Sequence, residues 1–259
     1  MFFQQLINGL TVGGVYALIA LGYTMVYGIL ELINFAHGEI YMLGAYLGII
    51  FFGFFTAIGL TTFSLPLSLV LTFILSIVFC SAYGFTMERI AYRPLRNAPR
   101  LSPLISAIGV SLFLQNYVML TQGATDKVFP HLFGASGFSL LGAEVTHVQT
   151  VIITVSFLLM VSLHLFVSKT RTGKAMRAVA QDKEMASLVG INIDFIISVT
   201  FVVGSGLAAI AGIMIALYYG LVNYSIGYIA GIKAFTAAVL GGIGSIPGAM
   251  FGGIFLGFV

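Results

Sequence analysis

Apolar runs separated by short polar stretches fill the chain from end to end. A helix needs about 20 predominantly apolar residues to cross a bilayer. Runs near 5–29, 40–58, 64–87, 103–121, 148–167, 195–219, 226–241 and 247–259 approach or reach that length. The pattern predicts an all-α polytopic membrane protein with about eight hydrophobic segments, forming a single transmembrane domain over 1–259. Two interruptions stand out, a polar stretch from Glu31 to Glu39 and a Gly/Pro-rich one from Leu240 to Gly252. The opening residues Met1-Phe2-Phe3-Gln4-Gln5-Leu6 carry no basic group, so the first run reads as a retained span rather than a signal peptide. The last run, Gly252 to Val259, is still hydrophobic where it stops. A helix ending there leaves carbonyls unsatisfied at membrane depth, which predicts a further C-terminal tail.

Composition and charge sharpen this picture. Of the 259 residues, 59% are hydrophobic and 7% charged, against about 25% charged in a soluble domain. So few charges cannot dress a water-facing surface, and lipid must solvate most of the chain. Residues 88–102 hold Arg89, Arg93, Arg96 and Arg100 against Glu88, and 169–194 hold Lys169, Arg171, Lys174, Arg177 and Lys183 against Asp182, Glu184 and Asp194. Nine of the 11 basic residues thus lie in two stretches, which the positive-inside rule assigns to the cytoplasm. The connection 122–147 is then external, and counting backwards puts the N-terminus outside. Nothing in the distribution points to nucleic acid. The single cysteine, Cys80, excludes an internal disulfide or thiolate cluster, and no metal or other cofactor is implied. The only Gly-Lys pair, Gly173-Lys174, has Ser168 and Ala175 where a phosphate-binding loop needs Gly and Ser/Thr. Any ATP must be hydrolysed by another subunit.

Three stretches carry candidate chemistry. The first, between the first two runs, contains Asn34, His37 and Glu39 with Glu31 but no Lys or Arg. Ionisable groups inside a membrane are costly and mark function. A break at membrane depth, with freed backbone lining an enclosed cavity, fits this composition; the alternative is a solvated interfacial turn. The second runs from Gly173 to Gly190. Ala175, Met176, Ala178, Val179, Met185, Ala186 and Leu188 predict an alanine-rich helix with an apolar stripe. Gly190 is placed to end it, and Asn192 or Asp194 to cap the next span. A short helix in a polar loop needs a surface to lie on, and its small residues favour a protein over the lipid headgroups that Arg177 and its neighbours would otherwise contact. In the third, Gly241, Gly242, Gly244 and Pro247 interrupt a regular helix, either to line a pathway or to let helices pack closely. Gln115 and Asn116 are expected to bond across helices, His164 to meet helix-end carbonyls, and Lys233 to snorkel.

Several of these stretches resemble one family. They are Tyr16 to Gly28, Ile33 to Glu39, Glu88-Arg89-Ile90-Ala91-Tyr92-Arg93-Pro94, Ile105 to Gly109 with Phe113 to Tyr117, the helix through Gly190-Ile191-Asn192, and Phe235 to Ser245. The chain is similar over essentially its whole length to the H-type permease subunit of ABC importers for branched-chain amino acids (leucine, isoleucine, valine). The resemblance implies a transport subunit rather than an enzyme, in the inner (plasma) membrane of a bacterium. It implies a homologous second permease subunit, two ATP-binding cassette subunits, an external substrate-binding protein and surrounding lipid as partners. Asn34, His37, Glu39, Gly241, Gly242 and Gly244 would then lie on the substrate pathway. Gly173, Ala175, Arg177, Ala178, Asp182, Met185, Ala186 and Gly190 would couple it to the ATPase. The family continues for one or two hydrophobic segments beyond Val259. A permease for urea or short amides shares the motif type of residues 34–39, and a stand-alone channel or secondary transporter is the alternative of another class.

The topology is testable directly. A cysteine at Arg96, on a Cys80-free background, should react with an impermeant thiol reagent only after cells are permeabilised; labelling of intact cells would reverse the orientation.

Overall fold

A computed structural model describes residues 2–96, 98–99, 101–130, 137–140 and 142–259. Arg100 of the first basic stretch and part of the connection 122–147 lie outside the described residues. The chain forms α1 (Phe2–Leu30), α2 (His37–Ala57), the single turn α3 (Leu60–Phe63), α4 (Leu65–Met87) and α5 (Leu101–Gln122). There follow strands β1 (Lys127–Val128), β2 (Gly137–Leu140) and β3 (Ala143–Thr146), then α6 (His147–Lys169), α7 (Arg171–Gln181), α8 (Lys183–Leu188) and α9 (Ile193–Tyr219). Strand β4 (Leu221–Val222) leads to α10 (Ile226–Gly241) and α11 (Ile246–Phe258). Among the described residues, six helical runs are long and apolar enough to cross a membrane, and α10 and α11 are shorter apolar helices. The eight hydrophobic segments of an all-α membrane protein are therefore present. The strands are local additions: β2 and β3 form a hairpin, and β1 pairs antiparallel with β4 through Lys127↔Val222 and Val128↔Leu221.

α1 and α9 form the centre, with 78% and 72% of their most apolar windows buried against 22–28% for α4, α5 and α6. The outer helices are inverted relative to a soluble protein. α4 turns Ser68, Thr72, Ser76, Cys80 and Gly84, spaced every four residues, towards the bundle, and leaves Val70, Ile74, Val78 and Phe79 exposed. Against acyl chains a large apolar side chain gains nothing by turning inward, so small residues take the interface and let backbones approach. Two of the inward hydroxyls bond their own helix, Thr72 to the Ser68 carbonyl at 2.8 Å and Ser68 to that of Ser64 at 3.0 Å, which spares a buried polar group its desolvation cost.

The ends of the bundle follow from long-range contacts. Gln4 at the start of α1 bonds both the amide and the carbonyl of Glu144 in β3, and Asn8 accepts a 2.8 Å bond from Gln149 in α6. The N-terminal end and the 122–147 connection therefore share one end, as the parity of spans requires. Arg89, Arg93, Arg96, α7 and α8 mark the other, basic end.

Two local structures there differ from the expected ones. The alanine-rich helix is two helices meeting at a corner. Asp182 is extended (φ −156°, ψ 111°) and its carboxylate caps α8 by accepting from the Met185 amide at 2.9 Å; a cap residue cannot also be mid-helix. α8 ends in a full Schellman motif, with Ile191 N–H on the Ala186 carbonyl, Gly190 N–H on that of Ser187, and Gly190 at φ 84°. Asn192, not Asp194, caps α9. At the end of α4, the helix widens into a π turn, Glu88–Tyr92, followed by a 3-10 turn, Arg93–Leu95. Pro94 explains it: with no N–H to give Ile90 and a ring that clashes with its carbonyl, the chain shifts to a five-residue bond from Arg93 to Glu88.

α1 and α11 are held together at Gly253, where an added Cβ would overlap the Cα and Cβ of Ala17. Gly253→Leu should separate these helices and cost the roughly 1–3 kcal/mol of stability typical of overpacking, read as a lower thermal midpoint in detergent. Phe251→Leu, at an exposed position of the same helix, should leave the midpoint unchanged.

Candidate functional site

α1 ends at Leu30 because Glu31 takes a left-handed conformation, φ 58°, a state worth about 1–2 kcal/mol of strain in a residue with a Cβ. The chain then turns back into the bundle over residues 31–36. α2 begins at His37, so His37 and Glu39 stand in the first helical turn rather than in the preceding loop. Their depth can be read from their partners. Glu39 accepts a 3.0 Å hydrogen bond from Ser111, which lies ten residues, about 15 Å, along the 22-residue α5 and so at its midpoint. The His37 imidazole occupies the space beside Gly22, in the interior of α1, and Gly204 of α9 lies against both Gly22 and the imidazole. The break is therefore at mid-membrane depth.

α10 also starts at this level. Gly227 lies against Glu39 and the Gly38 carbonyl, and Gly231 against Gly38 and the Tyr23 hydroxyl. Two helix N-termini, those of α2 and α10, converge on one carboxylate. The His37, Glu39 and Ile226 N–H groups there bond the Asn34, Ala36 and Asn223 carbonyls, and the positive ends of the two helix dipoles lie towards Glu39, which is 1% exposed and has no cationic side chain in the cluster. Glu39 Oε2, Asn34 Nδ2 and His37 Nε2 are buried without a hydrogen-bond partner among the described residues. Asn34 Oδ1 accepts a 2.6 Å bond from Tyr92, and Tyr23 meets His37 edge-on at 5.0 Å.

Beside this cluster is a cavity of about 510 Å³ between α1, α5 and α10. Tyr23, Ser111 and Gln115 supply its polar wall, and Phe35, Ile108, Leu112 and Ile232 much of its apolar wall. Asn34, His37 and Glu39 are not in its lining. They sit one layer behind, reaching it through Ser111 and Tyr23.

The other glycines are elsewhere. Gly242 (φ 89°) and Gly244 (φ 94°) form the turn from α10 to α11, and Gly241 abuts Gly248 across it. That turn is at the basic end, where Gly244 lies near Gly28 and shares a small crevice with Met176 and Arg177 of α7. The structure thus brings together Asn34, His37 and Glu39, and separately brings Gly244 to the residues named for coupling. Of those, Gly173 and Ala186 are buried, Ala175 and Ala178 half-buried, and Arg177, Asp182, Met185 and Gly190 exposed. Met176 and Val179 also face the bundle, so the outward apolar face belongs to α8 and its exit, Met185, Leu188 and Val189.

The chain matches, over residues 5–259, the family described as branched-chain amino acid transport system / permease component. It is 54% identical over 262 residues to the high-affinity branched-chain amino acid transport system permease protein BraD of Pseudomonas aeruginosa, and 53% identical over 260 residues to LivH, of the same description, from Escherichia coli. Both comparisons cover 99% of this chain and 84% of the relative. A probable LivH of Methanocaldococcus jannaschii is 28% identical over 251 residues, 93% of this chain and 74% of that protein. No solved structure matches significantly.

The chain belongs to this permease family. It is a multi-pass membrane transport subunit, and its relatives are permease components of multi-subunit systems rather than enzymes.

Sequence reasoning missed the second mid-depth helix start in this permease. Gly38 meets Gly227 and Gly231. The signal was weak: Gly220, Asn223 and Ser225 punctuate an otherwise apolar stretch, and Asn223 bonds Asp126 and Ser225 to build the turn. Tyr23 and Ser111 gave no signal either, because a tyrosine and a serine in apolar runs are ordinary. Asn116 bonds the Leu112 carbonyl of its own helix at 2.8 Å rather than another helix, while Gln115 lines the cavity. Lys233 extends over the Tyr16 ring, 5.6 Å from its centroid, and His164 is exposed near the end of α6.

Proposed function

We propose that this permease carries branched-chain amino acids across a bacterial inner membrane as one subunit of an ATP-driven importer. The observation that carries this reading is the mid-depth cavity whose wall is part aliphatic and part polar, with a carboxylate one layer behind. A leucine, isoleucine or valine zwitterion needs a surface for its branched side chain and polar partners for two opposite charges. Ile108, Leu112, Ile232 and Phe35 suit the first. Ser111, Gln115, Tyr23 and, through Ser111, Glu39 suit the second. The names of the similar proteins point to the same substrates. Asn34, His37 and Glu39 act in this reading by fixing the polar wall. Gly241, Gly242 and Gly244 act at the basic end of the pathway, where the α10–α11 turn meets α1 and α7.

The cavity is open on the lipid-facing side of α5 and α10, where Ile105, Phe113, Tyr228 and Ile229 are exposed. A homologous second permease subunit would close it there. Two ATPase subunits would sit beneath the basic end and an external binding protein would deliver substrate at the other. α7 and α8 are the docking element: Met185, Leu188 and Val189 offer apolar contact, Met185 can adapt to an irregular groove, and Arg177, Lys183 and Glu184 lie at its rim.

Two expected outcomes test this. With the complete complex in proteoliposomes, Glu39→Gln and Ser111→Ala should each lower uptake of radiolabelled leucine by at least about tenfold, the scale of one lost hydrogen bond to a charged group, and His37→Ala should also lower it. The lipid-facing Asn116→Ala should not. Normal uptake in the first three, or uptake of urea in place of leucine, would overturn the assignment. Separately, Leu188→Asp should prevent copurification of the ATPase subunits. Gly190→Pro should leave them bound but abolish substrate-stimulated hydrolysis, since proline cannot adopt the positive φ or donate the Schellman bond. Ala178→Arg, half-buried against the bundle, should have the same effect as Gly190→Pro. Full stimulation in all three would reduce this segment to a connector.

A further inference from the structure

The π turn after α4 joins two parts of the protein that have no other evident reason to communicate. On one side, Arg96 pairs with both Glu88 and Asp194, and Arg93 pairs with the second oxygen of Asp194. Glu88 has both oxygens engaged, since Ser198 of α9 donates to Oε2 at 2.8 Å, and its side chain is 1% exposed. Asp194 lies in the first turn of α9, four residues after the Gly190 that ends α8. On the other side, Tyr92 is 2% exposed, rests its ring on Phe201 of α9 at 5.3 Å, and donates its hydroxyl to Asn34. Asn34, also buried, belongs to the segment that climbs to mid-membrane depth, next to Phe35 of the cavity wall.

We propose that Asp194, Arg96, Glu88, Tyr92 and Asn34 form a relay that transmits displacement of α7–α8 to the re-entrant segment 31–36. This rests on the reading that an ATPase moves α7 and α8. Each joint is short and specified. The Schellman exit fixes α8 to the start of α9, the guanidinium of Arg96 bridges carboxylates from the π turn and from α9, and one phenol hydroxyl reaches the break. The π turn is suited to the middle position because its backbone bonds are already irregular. Ser106 of α5 donates to the Ala91 carbonyl at 2.9 Å, so the same turn also touches a helix of the cavity wall. Tyr92 and Arg96 are positioning residues; neither lines the cavity.

The test reads the far end of the relay without needing the substrate. In the complex with its ATPase and second permease subunits, on a Cys80-free background, Phe35→Cys should react with a maleimide at different rates in the nucleotide-free and ATP-trapped states. Tyr92→Phe, which keeps the ring on Phe201 and removes only the hydroxyl, should shrink that rate difference by about two- to thirty-fold, the range of coupling changes along such networks. Asp194→Asn should do the same with the ATPase still bound, Asp194→Glu should largely restore it, and the double variant should be no worse than the more severe single one. If Asp194→Asn does not assemble, Arg93→Gln takes its place in the cycle. An unchanged rate difference in the variants, its absence in the parent, or losses that multiply in the double variant would overturn the relay. The leucine uptake assay is independent, so a wrong substrate leaves this result standing.

Discussion

The middle of a bilayer offers no water to a helix end, and the rest of this permease is organised around two helix ends that lie there. α2 and α10 both begin beside Glu39, at the level of the midpoint of α5. An N-terminus at that depth carries N–H groups with no solvent to take them, and a carboxylate at that depth carries charge with no solvent to screen it. The two dipole ends favour the carboxylate, and Ser111 holds one of its oxygens. Glycines at 38, 227 and 231 make the arrangement geometrically possible, because Gly38 packs backbone to backbone on Gly227 and Gly231 and so brings Gly227 against the carboxylate. The positions of α1 and α9 follow, since together they must wall the cluster from lipid, and they are the most buried helices of the bundle.

Much of the architecture was legible in the sequence because the bilayer imposes a length on every span. Eight apolar runs became eight apolar helices, and the clustering of arginine and lysine marked one end. The break at 31–36 was legible for a different reason: carboxylates, an amide and an imidazole without a balancing cation are unusual beside a membrane span, and their chemistry announces an enclosed site. What stayed hidden depends on pairing across the fold. The start of α10 inside the bundle is set by Gly227 meeting Gly38, a contact 189 residues apart in sequence, and no local pattern encodes it. The corner at Asp182 was hidden by ambiguity, since aspartate within an alanine-rich stretch reads equally as a surface residue or a cap.

The basic end shows a second use of irregular backbone. Pro94 costs α4 a regular ending, and the resulting π turn places Glu88 and Tyr92 so that one faces the ion pairs and the other faces Asn34. The α10–α11 turn, the end of α1 and α7 meet a short distance away around Gly28, Gly244 and Met176. Three of the segments that leave the regular bundle, 31–36, 88–95 and 242–245, are thus tied to the base of the molecule, while the exposed aliphatic faces of α4, α5 and α6 are left to lipid.

α5 is fastened to that base differently from the other spans. It buries one narrow stripe, Pro103, Ala107, Ser111, Leu114 and Val118, and two of its serines cross to neighbouring elements, Ser106 to the Ala91 carbonyl and Ser111 to Glu39. Those two anchors are five residues apart, on a helix about 33 Å long. Ser106 lies about a quarter of the way along the helix and Ser111 at its midpoint, so hydrogen bonds fasten the inner half of α5 to the bundle. The outer half of α5, carrying Gln115 on its inner side, is held by the burial of Leu114 and Val118 in the core. This wall of the cavity is therefore fastened by directional bonds towards its base and by non-directional apolar packing further out.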